Sequence, residues 1–218
     1  MYRVREQKTY RTWNELTENE KRKLLWESSI SDVIDEEIRF DVESAFGEIL
    51  REACLPEDLH KQWSLSCCQG DGCSVTGSVP ITLELLYRMT SDEKFPAIRK
   101  QLESGHAFLT YCIGSNSNHY VHPMTMRVEL EDTDLEDIPD DDLDELGDVL
   151  LEYLRYVCRD VESAGYRLID HLHSDETISE LCEANGVLFD EFGRAHWGLA
   201  EEFETDTERF TDIVQVAV

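Results

Sequence analysis

Positive charge is what this sequence lacks most. Its 218 residues hold 20 lysines and arginines against 48 aspartates and glutamates, a formal charge of −28. Nucleic acid and anionic membranes carry the same sign, so direct binding to either is disfavoured unless a basic patch forms locally. The one mildly basic stretch is the N-terminus, residues 3–23. Long apolar runs are missing too. None approaches the roughly 20 residues of a membrane-spanning helix, and the opening MYRVREQKTYRTW is polar from the start, unlike a secretory leader. The expectation is a soluble, cytoplasmic protein without membrane contact. A disulfide framework is also not indicated. The cysteines, Cys54, Cys67, Cys68, Cys73, Cys112, Cys158 and Cys182, are odd in number and sit mostly within apolar patterns, as reduced, buried thiols do. No internal repeat and no linker divides the chain. Residues 1–218 are therefore expected to form a single domain, and 41% hydrophobic residues suffice for its core.

The stretch that organises the rest is residues 63–79, WSLSCCQGDGCSVTGSV. Apolar and sulfur-bearing side chains alternate on either side of Gln69-Gly70-Asp71-Gly72, and the glycines permit the positive φ of a tight turn. Trp63, Leu65 and Cys67 share a face with Cys73, Val75, Gly77 and Val79. A hairpin alone is marginal in water, so further strands and covering helices are required. Residues 106–114, HAFLTYCIG, supply a third strand with Leu109, Tyr111 and Ile113 on one face. After the polar turn at 115–118, HYVHPMTMRVELE supplies a fourth, with Met124, Met126, Val128 and Leu130 alternating.

Helices fill the remainder. Thr17 and Glu20 have capping-box spacing ahead of Leu24, Leu25 and Trp26. Residues 31–53 place Val33, Ile34, Ile38, Val42, Phe46, Ile49 and Leu50 at helical spacing, and Leu55-Pro56 ends that run. Helices are expected on both sides of Ser91, with Pro96 interrupting and Gly105 closing. From Asp140, Leu143, Leu146, Val149, Leu150, Tyr153, Leu154, Val157 and Val161 outline a long amphipathic helix. Ser174 caps another, with Ile178, Leu181 and Cys182 inward, and residues 188–194 read as a strand into a turn. The four tryptophans are read as core or rim residues, with Trp13 and Trp197 as the candidates for exposure. The fold class is α+β: an antiparallel sheet of about four strands, in two hairpins, covered by amphipathic helices.

Residues 129–148 contain twelve acidic side chains and no basic one: Glu129, Glu131, Asp132, Asp134, Glu136, Asp137, Asp140, Asp141, Asp142, Asp144, Glu145 and Asp148. The part before Asp140, with Ile138-Pro139, is expected to be a loop. Residues 1–30 carry seven basic and five acidic side chains, which leaves −30 on the other 188. Thirty charges at the duplex-DNA spacing of one per about 1.7 Å correspond to roughly 50 Å of duplex, the scale of one folded domain. A solvated acidic face and a nucleic-acid-like surface both fit this run.

The other constellations are weaker. Gln69, Gly70, Asp71 and Gly72 could bind an anion or a metal, but the loop lacks the Lys-Ser/Thr of a phosphate loop, and a turn closed by Asp71 accounts for it. Cys67, Cys68 and Cys73 with His119 and His122 could approach one another across the hairpins. Adjacent strand residues point to opposite faces, however, so no zinc site and no other cofactor is expected. Cys73 with His119 or His122 as a nucleophile pair lacks a third, orienting group and an oxyanion hole, and no catalytic residue is assigned.

Several segments together carry a family resemblance. Glu15-Leu16-Thr17-Glu18-Asn19-Glu20-Lys21 and Ser66-Cys67-Cys68-Gln69-Gly70-Asp71-Gly72-Cys73-Ser74-Val75-Thr76-Gly77 resemble a family of uncharacterised bacteriophage and prophage proteins, in which an ELSEKAKEKA-like helix precedes a strand running into SQGDGxxFxG. His119-Tyr120-Val121-His122 is similar to that family's HxYxH strand, and Leu172-His173-Ser174-Asp175-Glu176 to its LxSDE helix start. The resemblance reaches to about Arg194. Cys67-Cys68, Val75 and the heavy acidic segment around 131–145 depart from the pattern. The resemblance implies a viral origin and an α+β fold, and some members carry the label antitoxin; it implies no catalytic site.

Charge and resemblance together lead to one functional expectation: a non-enzymatic phage inhibitor of a host nucleic-acid-binding defence complex, of CRISPR-effector or restriction type. Its twelve run carboxylates would occupy the complex's basic channel in place of phosphates. The competing expectation is an antitoxin-like or regulatory module that binds a protein through the Gln69–Gly72 turn. Oligomeric state is left open, a homodimer included.

Overall fold

The computed structural model describes residues 10–27, 29–66, 71–91, 93–117 and 120–197. They fall into two compact units, residues 40–168 and the paired segments 10–39 and 169–197. Both boundaries lie inside continuous helices, α2 (Ser29–Glu52) and α5 (Asp140–Leu172), so no linker composition marks them.

The larger unit is built on a four-stranded antiparallel sheet in the order β1 (His60–Ser64), β2 (Gly72–Pro80), β3 (Leu109–Ser115), β4 (Met126–Thr133). The register pairs Trp63 with Cys73, Val79 with Tyr111 and Ile113 with Val128, which puts the alternating apolar residues of all four strands on one face. Because β2 pairs with β3, the two expected hairpins merge into one sheet. Helices α3 (Leu83–Met89) and α4 (Pro96–Glu103) occupy the β2–β3 connection, one on each side of Ser91. The core gathers Val75, Val79, Tyr111, Ile113 and Met126 from the sheet, Phe46 and Leu50 from α2, Leu85 and Leu86 from α3, and Leu146, Leu150 and Leu154 from α5. Tyr111 keeps its hydroxyl satisfied there by donating to the Leu143 carbonyl at 2.6 Å.

Three local features differ from the sequence pattern. Proline does not end α2. Cys54 takes a left-handed conformation (φ 58°), and the Leu55 N–H reaches the Leu50 carbonyl at 2.9 Å while the Cys54 N–H reaches that of Arg51 at 3.0 Å, a Schellman closure with Pro56 beyond it. The fourth strand begins at Met126 rather than near 119. Pro123–Thr125 is a 3-10 turn in which His122 Nδ1 accepts the Met124 N–H at 3.0 Å, so Met124 stands exposed instead of alternating. The acidic run is not a loop from its start, because Glu129 to Asp132 remain in β4. A bulge sets Thr110 opposite Asp132 but Tyr111 opposite Leu130, so Glu131 is the extra residue and pairing continues to Thr133.

The smaller unit packs the 3-10 turn Trp13–Glu15, α1 (Glu18–Glu27), α6 (Asp175–Ala184) and the short hairpin β5 (Leu188–Phe189) and β6 (Ala195–His196) with the unit's shares of α2 and α5. Trp13, a candidate for exposure in the sequence, belongs to the core. It is 1% exposed, 5.9 Å from the Phe189 ring and 5.5 Å from Lys21 Nζ, because the Glu15 carboxylate accepts the Thr12 N–H at 2.7 Å and closes the turn that directs the indole inward. Trp197 stands 40% exposed. The Thr17–Glu20 capping box is present, with the Thr17 N–H donating to Glu20 at 2.9 Å.

Two carboxylates tie this unit's stability to acid pH. Glu20 accepts from the Arg11 guanidinium at 2.7 Å, and that bond, with those from the Thr17 backbone and hydroxyl, holds it down to about 2 from an ordinary 4.5. Burial alone would raise Asp190. Donation from the Arg194 N–H, from His196 Nε2, from Arg194 Nε and from the Phe192 N–H outweighs it and keeps the group far below the carboxylate range. Both pKa values are depressed in the folded state, so the stabilisation is present above the unfolded value and is lost as pH falls through the folded one. The melting temperature is expected to fall on acidification from pH 4.5 towards 2, and Glu20→Gln is expected to flatten that slope in a calorimetric pH series. A wild-type slope retained in Glu20→Gln would remove Glu20 from the account.

Candidate functional site

The acidic run lies wholly in the larger unit. Glu129, Glu131 and Asp132 sit on β4, one of the sheet's two edge strands; Asp134, Glu136 and Asp137 on the connection that follows; and the other six in the first turns of α5. Eleven of the twelve are exposed and Asp142 is half-buried. Glu129 pairs with Arg127 at 3.3 Å and Glu145 with Lys94 at 2.8 Å, while Asp134 accepts the Phe108 N–H at 2.6 Å. The other nine have no ion-pair partner among the described residues. A helix N-terminus tolerates this density because its exposed N–H groups and axial dipole favour negative charge.

The connection is held from outside the run. The Gln101 side-chain amide of α4 makes a two-point clamp on Glu136, donating to its carbonyl at 2.7 Å and accepting its N–H at 2.9 Å. The Thr133 hydroxyl donates to the Phe108 carbonyl at 3.1 Å and accepts the Leu135 N–H at 3.1 Å. Gln101 was not legible as a functional residue, since its partner is a backbone 35 positions away. The acidic run alone is visible in sequence; the clamp that gives it shape is not.

The Gln69-Gly70-Asp71-Gly72 motif is described in part, Gln69 and Gly70 lying outside the described residues. Both Asp71 oxygens are engaged within the hairpin: Oδ1 accepts the Ser64 hydroxyl at 2.6 Å, and Oδ2 accepts the Ser66 N–H at 3.0 Å and the Ser66 hydroxyl at 2.7 Å. Gly72 has φ 150°, and a Cβ there would stand 3.2 Å from the Val121 carbonyl. Gly72→Ala is expected to cost about 1–3 kcal/mol through this backbone conformation and close approach, read as a lower urea midpoint. A midpoint unchanged from wild type would contradict a structural role for the glycine.

Of the residues considered for metal or nucleophile chemistry, Cys67, Cys68 and His119 also lie outside the described residues. No group of three or more His, Cys, Asp or Glu among the described residues is placed to hold a metal ion. Cys73 is fully buried, and burial, with a smaller push from the Glu162 charge, raises its thiol to about 12; burial, with smaller pushes from Cys73 and Glu162, raises Cys158 to about 12. A thiol of that kind is protonated at neutral pH and is a poor nucleophile. Cys112, on the outer sheet face, is exposed. In a Cys67→Ser, Cys68→Ser background, Cys112 is expected to react with a disulfide reagent at least about 100-fold faster than Cys73 and Cys158, which react only through unfolding. Equal rates for all of these would contradict the burial described.

No protein-family model matches the chain, and comparison with curated proteins and with solved structures likewise found no match. No helix among the described residues is long and apolar enough to cross a membrane.

Proposed function

We propose that this chain is a non-enzymatic, phage-encoded inhibitor that occupies the basic nucleic-acid channel of a host defence complex, its carboxylates standing where phosphates would. The observation that carries the reading is the density of acidic side chains in the first turns of α5, all but Asp142 exposed and all but Glu145 without an ion-pair partner among the described residues. Asp140, Asp141, Asp142, Asp144, Glu145 and Asp148 fall within about 12 Å of helix axis, or roughly 2 Å per charge, close to the about 1.7 Å per charge of duplex DNA. The Gln101 clamp and the pairing of β4 add support, because a surface ordered in advance loses less entropy on binding than a mobile acidic tail. The antitoxin-like alternative draws less support, since the Asp71 carboxylate of its motif already serves the hairpin.

The test is affinity capture of the tagged chain from host lysate at two salt concentrations. A contact made through six or more phosphate-like charges weakens by about 10³-fold or more between about 50 and 200 mM salt. Capture of a nucleic-acid-binding complex at low salt and its loss at high salt is the expected result. Retention of a small partner equally well at both salts would overturn the reading.

A further inference from the structure

The acidic run shares two of its residues with a feature of different chemistry. Beside the first turns of α5 runs a groove of about 350 Å³ whose floor is Met89, Val149 and Tyr153 and whose rim carries Glu145, Asp148 and Glu152. Positions 145, 148 and 152 recur at spacings of three and four, so one helical face presents all three carboxylates beside the apolar floor. Along the same face, three residues beyond Tyr153, Tyr156 stands 59% exposed. Asp148 has no ion-pair partner among the described residues. Glu152 pairs with Arg155, and Lys94 lines the groove too, its Nζ 2.8 Å from Glu145. The chain thus already sets one lysine head on this rim.

We infer that this groove receives an arginine or lysine side chain from a basic amphipathic helix of the partner protein. The aliphatic stem and a neighbouring leucine of that helix pack on Met89, Val149 and Tyr153, and the charged head lies at Asp148 between Glu145 and Glu152. Long cationic side chains bury their stems on apolar surface while the head stays with charge or water, which is the combination this groove offers. Purely phosphate-like recognition has no use for an apolar floor; a basic helix with leucines beside its lysines does. The inference rests on the proposed inhibitor reading and deepens it, by separating general charge attraction along the run from one anchoring contact.

Two labelled peptides of equal charge test it by fluorescence anisotropy against the whole chain. One has lysines and leucines at helical spacing; the other replaces each leucine by serine. The leucine peptide is expected to bind at least about tenfold more tightly, the gain from burying roughly one apolar side chain. Val149→Lys, which puts a cation on the floor, is expected to cancel that preference, as is Met89→Lys, the floor residue from α3. Glu131→Lys with Asp132→Lys, on β4, is expected to weaken both peptides alike. Equal binding of the two peptides by wild type, or a preference that survives both floor substitutions in folded protein, overturns the groove and leaves the charge reading standing. Failure of both peptides to bind overturns the groove and the charge reading together. Displacement of the leucine peptide by an equal concentration of spermine would assign the groove to a free polyamine and overturn the inference.

Discussion

Replacing Asp140, Asp141 and Asp144 with lysine is expected to weaken capture of the partner complex by at least about 100-fold, and replacing them with asparagine by about tenfold. All three are exposed and none has an ion-pair partner among the described residues, so the substitutions break no ion pair of those residues. The lysine variant reverses six units of charge where the density is highest, against a basic surface that the wild type approaches by attraction. The effect should fall mostly on the association rate and should shrink as salt rises, because complementary charge steers encounter. Lysines at a helix N-terminus oppose the dipole at roughly 0.3–1 kcal/mol each, so a modest loss of stability accompanies them. The asparagine variant removes charge without that reversal, and a graded loss across the series identifies electrostatics as the cause. Capture unchanged in the lysine variant would show that the run is a solvated face.

Phe46→Ala is expected to destabilise the larger unit by about 3–5 kcal/mol, among the largest effects of any single truncation here. Phe46 is fully buried where α2 enters the cluster formed by the sheet and α5. The loss comprises the transfer free energy of the ring and the cavity left behind, which a close-packed interior fills only in part. Against a typical total of about 5–15 kcal/mol, that is a large fraction. Urea unfolding should show a lower midpoint at an unchanged slope. A loss below about 1 kcal/mol would mean that the helix does not pack as described.

The alternation of Leu109, Tyr111 and Ile113, and the spacing of Leu143, Leu146 and Leu150, made β3 and α5 legible, since each period projects a single apolar face. The capping box at Thr17 and Glu20 marked a helix start for the same local reason. What sequence could not show depends on distant partners. The continued pairing of Glu129 to Asp132 depends on β3 and a bulge, and acidic residues by themselves argue for a loop. Trp13 is turned inward by a capping carboxylate and held by Phe189, 176 positions along the chain. The candidate site divides in the same way. Its twelve charges were plain from composition, whereas the Gln101 clamp and the apolar floor beside Glu145 and Asp148 require α3, α4 and α5 to be placed together.

The central claim is that these carboxylates occupy the place of nucleic acid, and competition measures that most directly. The captured complex, held at about 50 mM salt, is titrated with duplex DNA or with the guide or substrate nucleic acid that the partner binds, while release of the labelled chain is followed. The account predicts mutually exclusive binding, with the chain released in proportion to the partner's affinity for the nucleic acid. A ternary complex in which chain and nucleic acid are held together at saturation would contradict it.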